Sequence, residues 1–243
     1  MPRDWDAAAY DDLPIPMTAW GLTVLDRLDL RGDERVLDAG CGTGLVTAAL
    51  LERLPRGRVV ALDGSTSMLE RARGRLGVER VRYLHHDLLE PIPIEPVDVI
   101  VSTATFHWIA DHDRLFTNLA EVLRPGGRME AQCGGRGNIA RIEAIVRALG
   151  VEDGFGAETF PGPEETTARL VGAGFVEVEC WLQDEPTDLP VTELERYLRT
   201  VCLGGLIEPM SDDDAAALVR GVASAMPRPR IDYVRLNISA VRG

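Results

Sequence analysis

Two aspartates and a glycine run carry the most legible chemistry in this chain. Val36-Leu37-Asp38-Ala39-Gly40-Cys41-Gly42-Thr43-Gly44 leaves a β-rich run and enters a helix-like one, with glycines spaced G-x-G-x-G. Glycine admits positive φ and lets a ligand approach the backbone closely. Leu45 and Val46 stand where a dinucleotide loop would carry its last glycine. In dinucleotide sites that loop and the helix N-terminus cradle a pyrophosphate. Asp38, two residues before the first glycine, would repel a diphosphate and suits an ammonium group. Asp63, followed by Gly64, ends the next β-rich run, where an acid can take both hydroxyls of a ribose. Two strand-end acids around a glycine gap describe a ligand with a ribose, a positive group and no required phosphate. S-adenosylmethionine (SAM) meets that description. Met68, five residues beyond Asp63, is placed to stack on its adenine.

Further candidates lie downstream. His107 and Trp108 follow the fourth β-rich run, where an acceptor would meet the methyl group. A carboxylate acceptor is already ionised at neutral pH and needs no general base; a phenol benefits from one, and His107 is the candidate. Arg136, Arg199 and Arg235 are candidate carboxylate clamps for the substrate. The histidines show no metal-ligand spacing, so no metal site is expected.

The elements that must position these residues follow from apolar periodicity. Helical spacing over Met17 to Leu28 precedes five short β-rich runs, at Arg35–Asp38, Val59–Leu62, Val81–Leu84, Val97–Val101 and Arg128–Cys133. Helix-like segments separate most of them, at Val46–Leu54, Met68–Leu76 and Leu115–Leu123. That alternation predicts an α/β fold with a doubly wound parallel sheet. Later come helical segments at Ile139–Leu149 and Pro163–Val171, a strand at Phe175–Leu182, two helices within Pro190–Met226, the second capped by Ser211, and a last strand at Ile231–Val241. The expected organisation is one domain over 1–243: a helical leader at 1–30, a SAM-binding core at 31–184, a helical lid insertion at 185–230 and a final strand at 231–243.

The chain has 243 residues and a net charge of −13, with every basic residue an arginine. Such an acidic chain is expected to bind neither nucleic acid nor anionic membranes. No run approaches the roughly 18 apolar residues of a membrane span, and the acidic start lacks a signal-peptide pattern. The four cysteines form no C-x-x-C pair, which fits reduced thiols and a cytoplasmic location.

The glycine motif resembles the first motif of the class I SAM-dependent methyltransferases, and the resemblance runs from about Arg35 to Cys133. It implies a Rossmann-like seven-stranded sheet with the last strand antiparallel. It also implies SAM as cofactor, S-adenosyl-L-homocysteine as product, and cofactor contacts at Tyr10, Asp38, Gly40, Cys41, Gly42, Gly44, Asp63, Gly64, Met68, Asp87, Leu88 and Ser102. In that assignment Tyr10 reaches the SAM carboxylate, Asp87 the adenine amino group and the Leu88 N–H a ring nitrogen. Trp5-Asp6-Ala7-Ala8-Ala9-Tyr10, Ala104-Thr105-Phe106-His107-Trp108-Ile109, Ala131 to Asn138, Leu198-Arg199-Thr200 and Tyr233 to Asn237 are similar to the trans-aconitate methyltransferase group. That narrower likeness implies O-methylation of a small carboxylate by a monomer or homodimer. The alternatives are methylation of a phenol, hydroxyl or amine with His107 as base, and a non-catalytic SAM-binding protein. An NAD-dependent enzyme on a related fold is disfavoured by the glycine spacing and Asp38.

Overall fold

The computed structural model describes residues 5–13, 16–151 and 160–243. Five strands run parallel, as the alternation predicts: β1 (Arg35–Ala39), β2 (Arg58–Asp63), β3 (Val81–His85), β4 (Val97–Thr103) and β5 (Leu123–Gly134). Val36, Leu37, Val59, Ala61 and Ile100 are shut off from solvent, as expected of a parallel sheet covered on both faces. Two helices precede β1, α1 (Ala7–Asp11) and α2 (Met17–Leu25). The crossovers are α3 (Leu45–Arg53), α4 (Thr66–Leu76) and α5 (His112–Val122). α6 (Ala140–Ala148) and α7 (Pro163–Gly172) then lead to β6 (Phe175–Asp184).

Two short strands, β7 (Thr187–Asp188) and β8 (Arg230–Ile231), precede the long closing strand β9 (Val234–Arg242). β9 lies between β5 and β6, antiparallel to both, so the sheet order is β3-β2-β1-β4-β5-β9-β6. This is the seven-stranded sheet with an antiparallel last strand that the resemblance implies. The order reverses between β1 and β4, and in open α/β sheets a ligand crevice forms outside the carboxyl ends at such a point.

Helix starts follow local chemistry. Ser65, Asp111 and Ser211 accept hydrogen bonds from Met68, Arg114 and Asp214 backbone N–H groups, capping α4, α5 and α10 (Asp212–Ala225). Two expectations change. The last strand does not begin at Ile231: β8 pairs with β7, and β9 starts only at Val234. Asp232 breaks the ladder because it caps α6, taking the Ile139 N–H on its carbonyl and the Arg141 N–H on its carboxylate. The first helix expected within 190–226 is broken into a 3-10 turn at Val191–Glu193, α8 (Leu194–Tyr197), a π-helical turn at Leu198–Cys202 and α9 (Gly204–Ile207). The β7–β8 ribbon ties the two ends of this helical segment together. The segment buries Tyr197, Leu198 and Val222 against Trp20, Ile142 and Tyr233. Among the described residues, no helix is long and apolar enough to cross a membrane.

Candidate functional site

Two adjoining cavities, each of about 230 Å³, open where β1, β2 and β4 end, and they share Trp5, Tyr10, Met17, Ala104, Trp108 and Ile109 as walls. Among the described residues, Asp38, Asp63 and Asp87 line the first cavity and no arginine does. Asp38 is buried, and its Oδ2 accepts from the Thr47 hydroxyl at 2.6 Å. Burial pushes its carboxyl up to about 7; the Thr47 hydrogen bond opposes this and the nearby Asp63 charge adds to it. Asp63 accepts from the Gly42 N–H at 2.8 Å and the Ser65 N–H at 2.9 Å. Burial raises its pKa too, against the pull of those N–H groups. A buried and a half-buried acid in a cavity that no arginine lines among the described residues are costly unless a ligand supplies a cation.

The glycine loop fits such a ligand. Gly40 has φ +84°, and a Cβ there would stand 2.1 Å from the Thr105 Oγ1, so only glycine passes. Gly42, at φ +53°, lines the cavity, and a Cβ there would enter open space. Across the cavity Ala104 holds φ +57°, its N–H donating to the Gln132 carbonyl at 2.7 Å. A non-glycine residue with positive φ is strained, and such strain gathers at ligand sites. The residues present therefore fit a nucleoside bearing a positive charge.

The second cavity carries the opposite sign. Arg235 is 1% exposed and lines it, with its guanidinium 4.4 Å over the Trp20 ring. Its Nε and Nη2 have no hydrogen-bond partner among the described residues. Burial lowers its pKa, yet a guanidinium stays protonated. His107 is also buried in this wall; its Nδ1 accepts from the Gly134 N–H at 3.2 Å, and its ring stacks on Phe160. Burial, then the Arg235 charge, lowers the His107 pKa well below the usual value. The ring is therefore neutral at pH 7. With Nδ1 accepting, its proton sits on Nε2, so His107 can donate a hydrogen bond.

The cavities gather most of the expected site residues. Tyr10, Asp38, Gly40, Cys41, Gly42, Asp63, Gly64, Met68, Asp87, Leu88 and Trp108 line the first. Tyr10, His107, Trp108 and Arg235 line the second. Four expected residues lie elsewhere. Gly44 is the left-handed cap of α3, and a Cβ there would meet Leu76 at 2.9 Å, so it serves helix packing. Ser102 lies below the crevice and donates to the Ala39 carbonyl at 2.6 Å. Arg136 and Arg199 are well exposed, 3.9 Å from Glu164 and 3.5 Å from Asp212 respectively, as solvated surface pairs.

The structure adds residues that the sequence did not single out. Thr105, Met17 and Thr18 line the first cavity, and Asn138, Phe160 and Tyr233 the second. Asp11 clasps α1 to the glycine loop and α4: it accepts from the Thr43 hydroxyl at 2.6 Å, from Arg71 at 2.9 Å and from Arg75 at 2.8 Å. Burial would raise its pKa, but these donors outweigh it and hold the carboxyl below its usual value. Thr105, Asn138 and Tyr233 fall within stretches already noted for their resemblance. Nothing in the sequence marks Phe160 or the Asp11 clasp.

Known proteins give a consistent picture. The family described as "Methyltransferase domain" matches residues 36–127. A trans-aconitate 2-methyltransferase of Enterobacter sp. (strain 638) is 33% identical over 182 residues, covering 73% of this chain and 70% of the relative. One from Acidovorax ebreus is 35% identical over 130 residues, covering 54% of this chain and 50% of the relative. For the first curated relatives the match thus spans about half of their length. The fold is shared with Haemonchus contortus phosphoethanolamine N-methyltransferase 2 in complex with SAM, at TM-score 0.63 and 22% identity, covering 92% of this chain and 52% of that one.

Proposed function

Because the chain belongs to the class I SAM-dependent methyltransferases and is similar to their trans-aconitate 2-methyltransferase group, we propose that it methylates a carboxylate of a small molecule, forming a methyl ester. The observation that carries this reading is Arg235, a buried guanidinium with two unpartnered nitrogens in the wall of the cavity beside the acid-lined one. An unpaired buried cation costs several kcal/mol, and an anionic ligand offsets that cost.

The residues divide the work by charge. Asp63 would take the ribose hydroxyls of SAM and Asp87 the adenine edge, while Asp38 offers its charge to the ammonium end. SAM, when bound, supplies a methyl group on a sulfonium whose sulfur departs as a neutral thioether, so no leaving anion needs stabilising. On the acceptor side, Arg235 orients the carboxylate, and the Nε2–H of His107 can donate to one of its oxygens. Trp5 and Trp108, edge to face at 5.1 Å, and Phe160 against His107 exclude water from the nucleophile. The carboxylate is ionised at neutral pH and gives up no proton, so the step needs no base. Methylation of a phenol or amine with His107 as base is less well supported, because its Nδ1 is occupied by Gly134 and its Nε2 holds the proton. Incubation with SAM and a mixed panel of small carboxylates, phenols and amines tests the reading. Alkali-labile methyl esters by mass spectrometry are expected; methylated phenols or amines without ester would refute it.

A further inference from the structure

Resting on that carboxylate reading, we propose that Asn138 is an acceptor-binding residue, its side-chain amide donating an uncharged hydrogen bond to an acceptor oxygen beside Arg235. Asn138 is buried in the wall of the second cavity, in the turn between β5 and α6. Its Oδ1 accepts from the Val234 N–H at 3.2 Å. That bond fixes which way the amide faces, because a flipped group would set N–H against N–H. The Nδ2 end, with its two N–H groups, is then left without an acceptor among the described residues. Buried donors are nearly always paired, so an unpaired one in a cavity wall points to a ligand oxygen.

The strand ends bring the other donors to the same place. Gly134 pairs with Arg235 across the β5–β9 ladder, and directly opposed residues present their side chains on one face of a sheet. A Cβ on Gly134 would stand 3.1 Å from Asn138 Nδ2 and 2.7 Å from the Phe160 ring. The Gly134 N–H donates to His107 Nδ1 at 3.2 Å. Asn138, Phe160, His107 and Arg235 thus surround one glycine, whose missing side chain leaves them room. The turn itself is held firmly. The Asn138 N–H donates to the Gly135 carbonyl at 2.9 Å, and Ile139, at φ +52°, donates to the Asp232 carbonyl at 3.0 Å. Positive φ at a non-glycine residue is strained, and such strain gathers at ligand sites. Of the two tyrosines in the same wall, Tyr233 is bonded to the Tyr197 hydroxyl at 2.7 Å, and Tyr10 also faces the first cavity. Arg235 supplies charge, and a fixed uncharged donor beside it selects one orientation of the acceptor. The acceptor oxygen loses negative charge as the ester forms, so this bond is worth no more in the transition state than in the bound acid. Removing it should raise KM and spare kcat.

The probes are octanoate and trans-aconitate as carboxylates and octanamide as an uncharged isostere. Binding is read by calorimetry at pH 8 on protein saturated with S-adenosylhomocysteine, and ester formation by mass spectrometry with SAM. Asn138→Ala is expected to bind whichever acid the unsubstituted protein esterifies at least about tenfold more weakly, with KM raised in step and kcat changed less than about twofold. Octanamide should lose no more than about threefold, because a hydrogen bond to an uncharged oxygen is weaker. Asn138→Asp keeps an acceptor for the Val234 N–H but, ionised at pH 8, has no proton to donate, so it should lose at least as much as Asn138→Ala. S-adenosylhomocysteine affinity and the thermal midpoint report whether each variant is folded. Recovery of acid binding in Asn138→Asp would show that the residue only holds Val234. That result, unchanged acid affinity in Asn138→Ala, or equal losses for the acid and octanamide would overturn this proposal and leave the carboxylate reading intact. Binding of neither acid, with methylation of phenols or amines alone, would overturn both.

Discussion

At Asp38 the burial that makes a cation receptor also makes the group sensitive to pH near neutrality. Its carboxyl is pushed up to about 7 in the ligand-free chain, from an ordinary 3.8. A cation binds the ionised form, so at pH 6 a proton must leave first. SAM affinity is expected to fall about fivefold between pH 7 and pH 6, and Asp38→Asn should flatten that dependence while weakening binding overall. Stability has the opposite sign. The folded chain holds this proton more tightly than the unfolded one, so between pH 3.8 and about 7 the group's contribution declines as pH rises. Calorimetry with SAM and thermal unfolding without it measure the two slopes; flat curves in both would remove the role. Asp63→Ala should cost SAM at least about tenfold in affinity, the loss of a hydrogen-bonded charged partner. For His107 the occupied Nδ1 makes its own prediction: His107→Ala should raise the acceptor KM with kcat little changed and, at saturating SAM, leave the pH–rate profile from pH 6 to 8 the same as in the unsubstituted protein. Loss of an alkaline limb in that variant would instead reveal a base.

At the scale of elements, α1 has only five residues and cannot hold itself as an isolated helix. It stays over the first cavity through Asp11, whose carboxylate is bound by Thr43, Arg71 and Arg75 at once. Asp11→Ala removes all three bonds but touches no sheet residue. SAM should then dissociate about tenfold faster, while the midpoint of global unfolding hardly moves, because fraying a terminal segment costs far less than opening the core. Stopped-flow displacement and thermal melts separate the two effects, and an unchanged dissociation rate would mean α1 does not close the cavity. The same contrast explains what the sequence made legible. β1 to β5 and their helices are written locally, in apolar runs closed by the Gly40–Gly44 turn and Pro125-Gly126-Gly127. Asp38 and Asp63 were readable for that reason, since each is defined by its place at a strand end. Arg235 was one of three equivalent arginines, because burial under Trp20 is a tertiary property. The π turn at Leu198–Cys202 and the late start of β9 depend on partners far along the chain, such as Asp232 against α6, which periodicity does not register.

Across the whole molecule the arrangement is one of opposed charge. An acid-lined cavity and a cavity walled in part by the buried Arg235 guanidinium meet at Tyr10, Ala104 and Trp108, inside a chain of net charge −13. The general field of the protein disfavours an anionic acceptor, so its capture must come from charges close by. Arg235 is one such charge. A positively charged cofactor seated against Asp38 and Asp63 would be the other, and its attraction for a carboxylate in the adjoining cavity is little screened by salt because both lie out of water. The two ligands should therefore bind with positive coupling, and linkage requires each to strengthen the other by the same factor. Once the methyl group has moved, neither the thioether nor the ester carries the charge that coupled them, so the same electrostatics favours release of products. Sinefungin, which keeps a positive charge near the methyl position, and S-adenosylhomocysteine, which lacks it, make the comparison without turnover. Octanoate is expected to bind about five- to a hundredfold more tightly to the sinefungin complex than to the S-adenosylhomocysteine complex, and octanamide equally to both. Equal octanoate affinities for the two complexes would mean that the cavities are electrostatically independent and that Arg235 alone holds the acceptor.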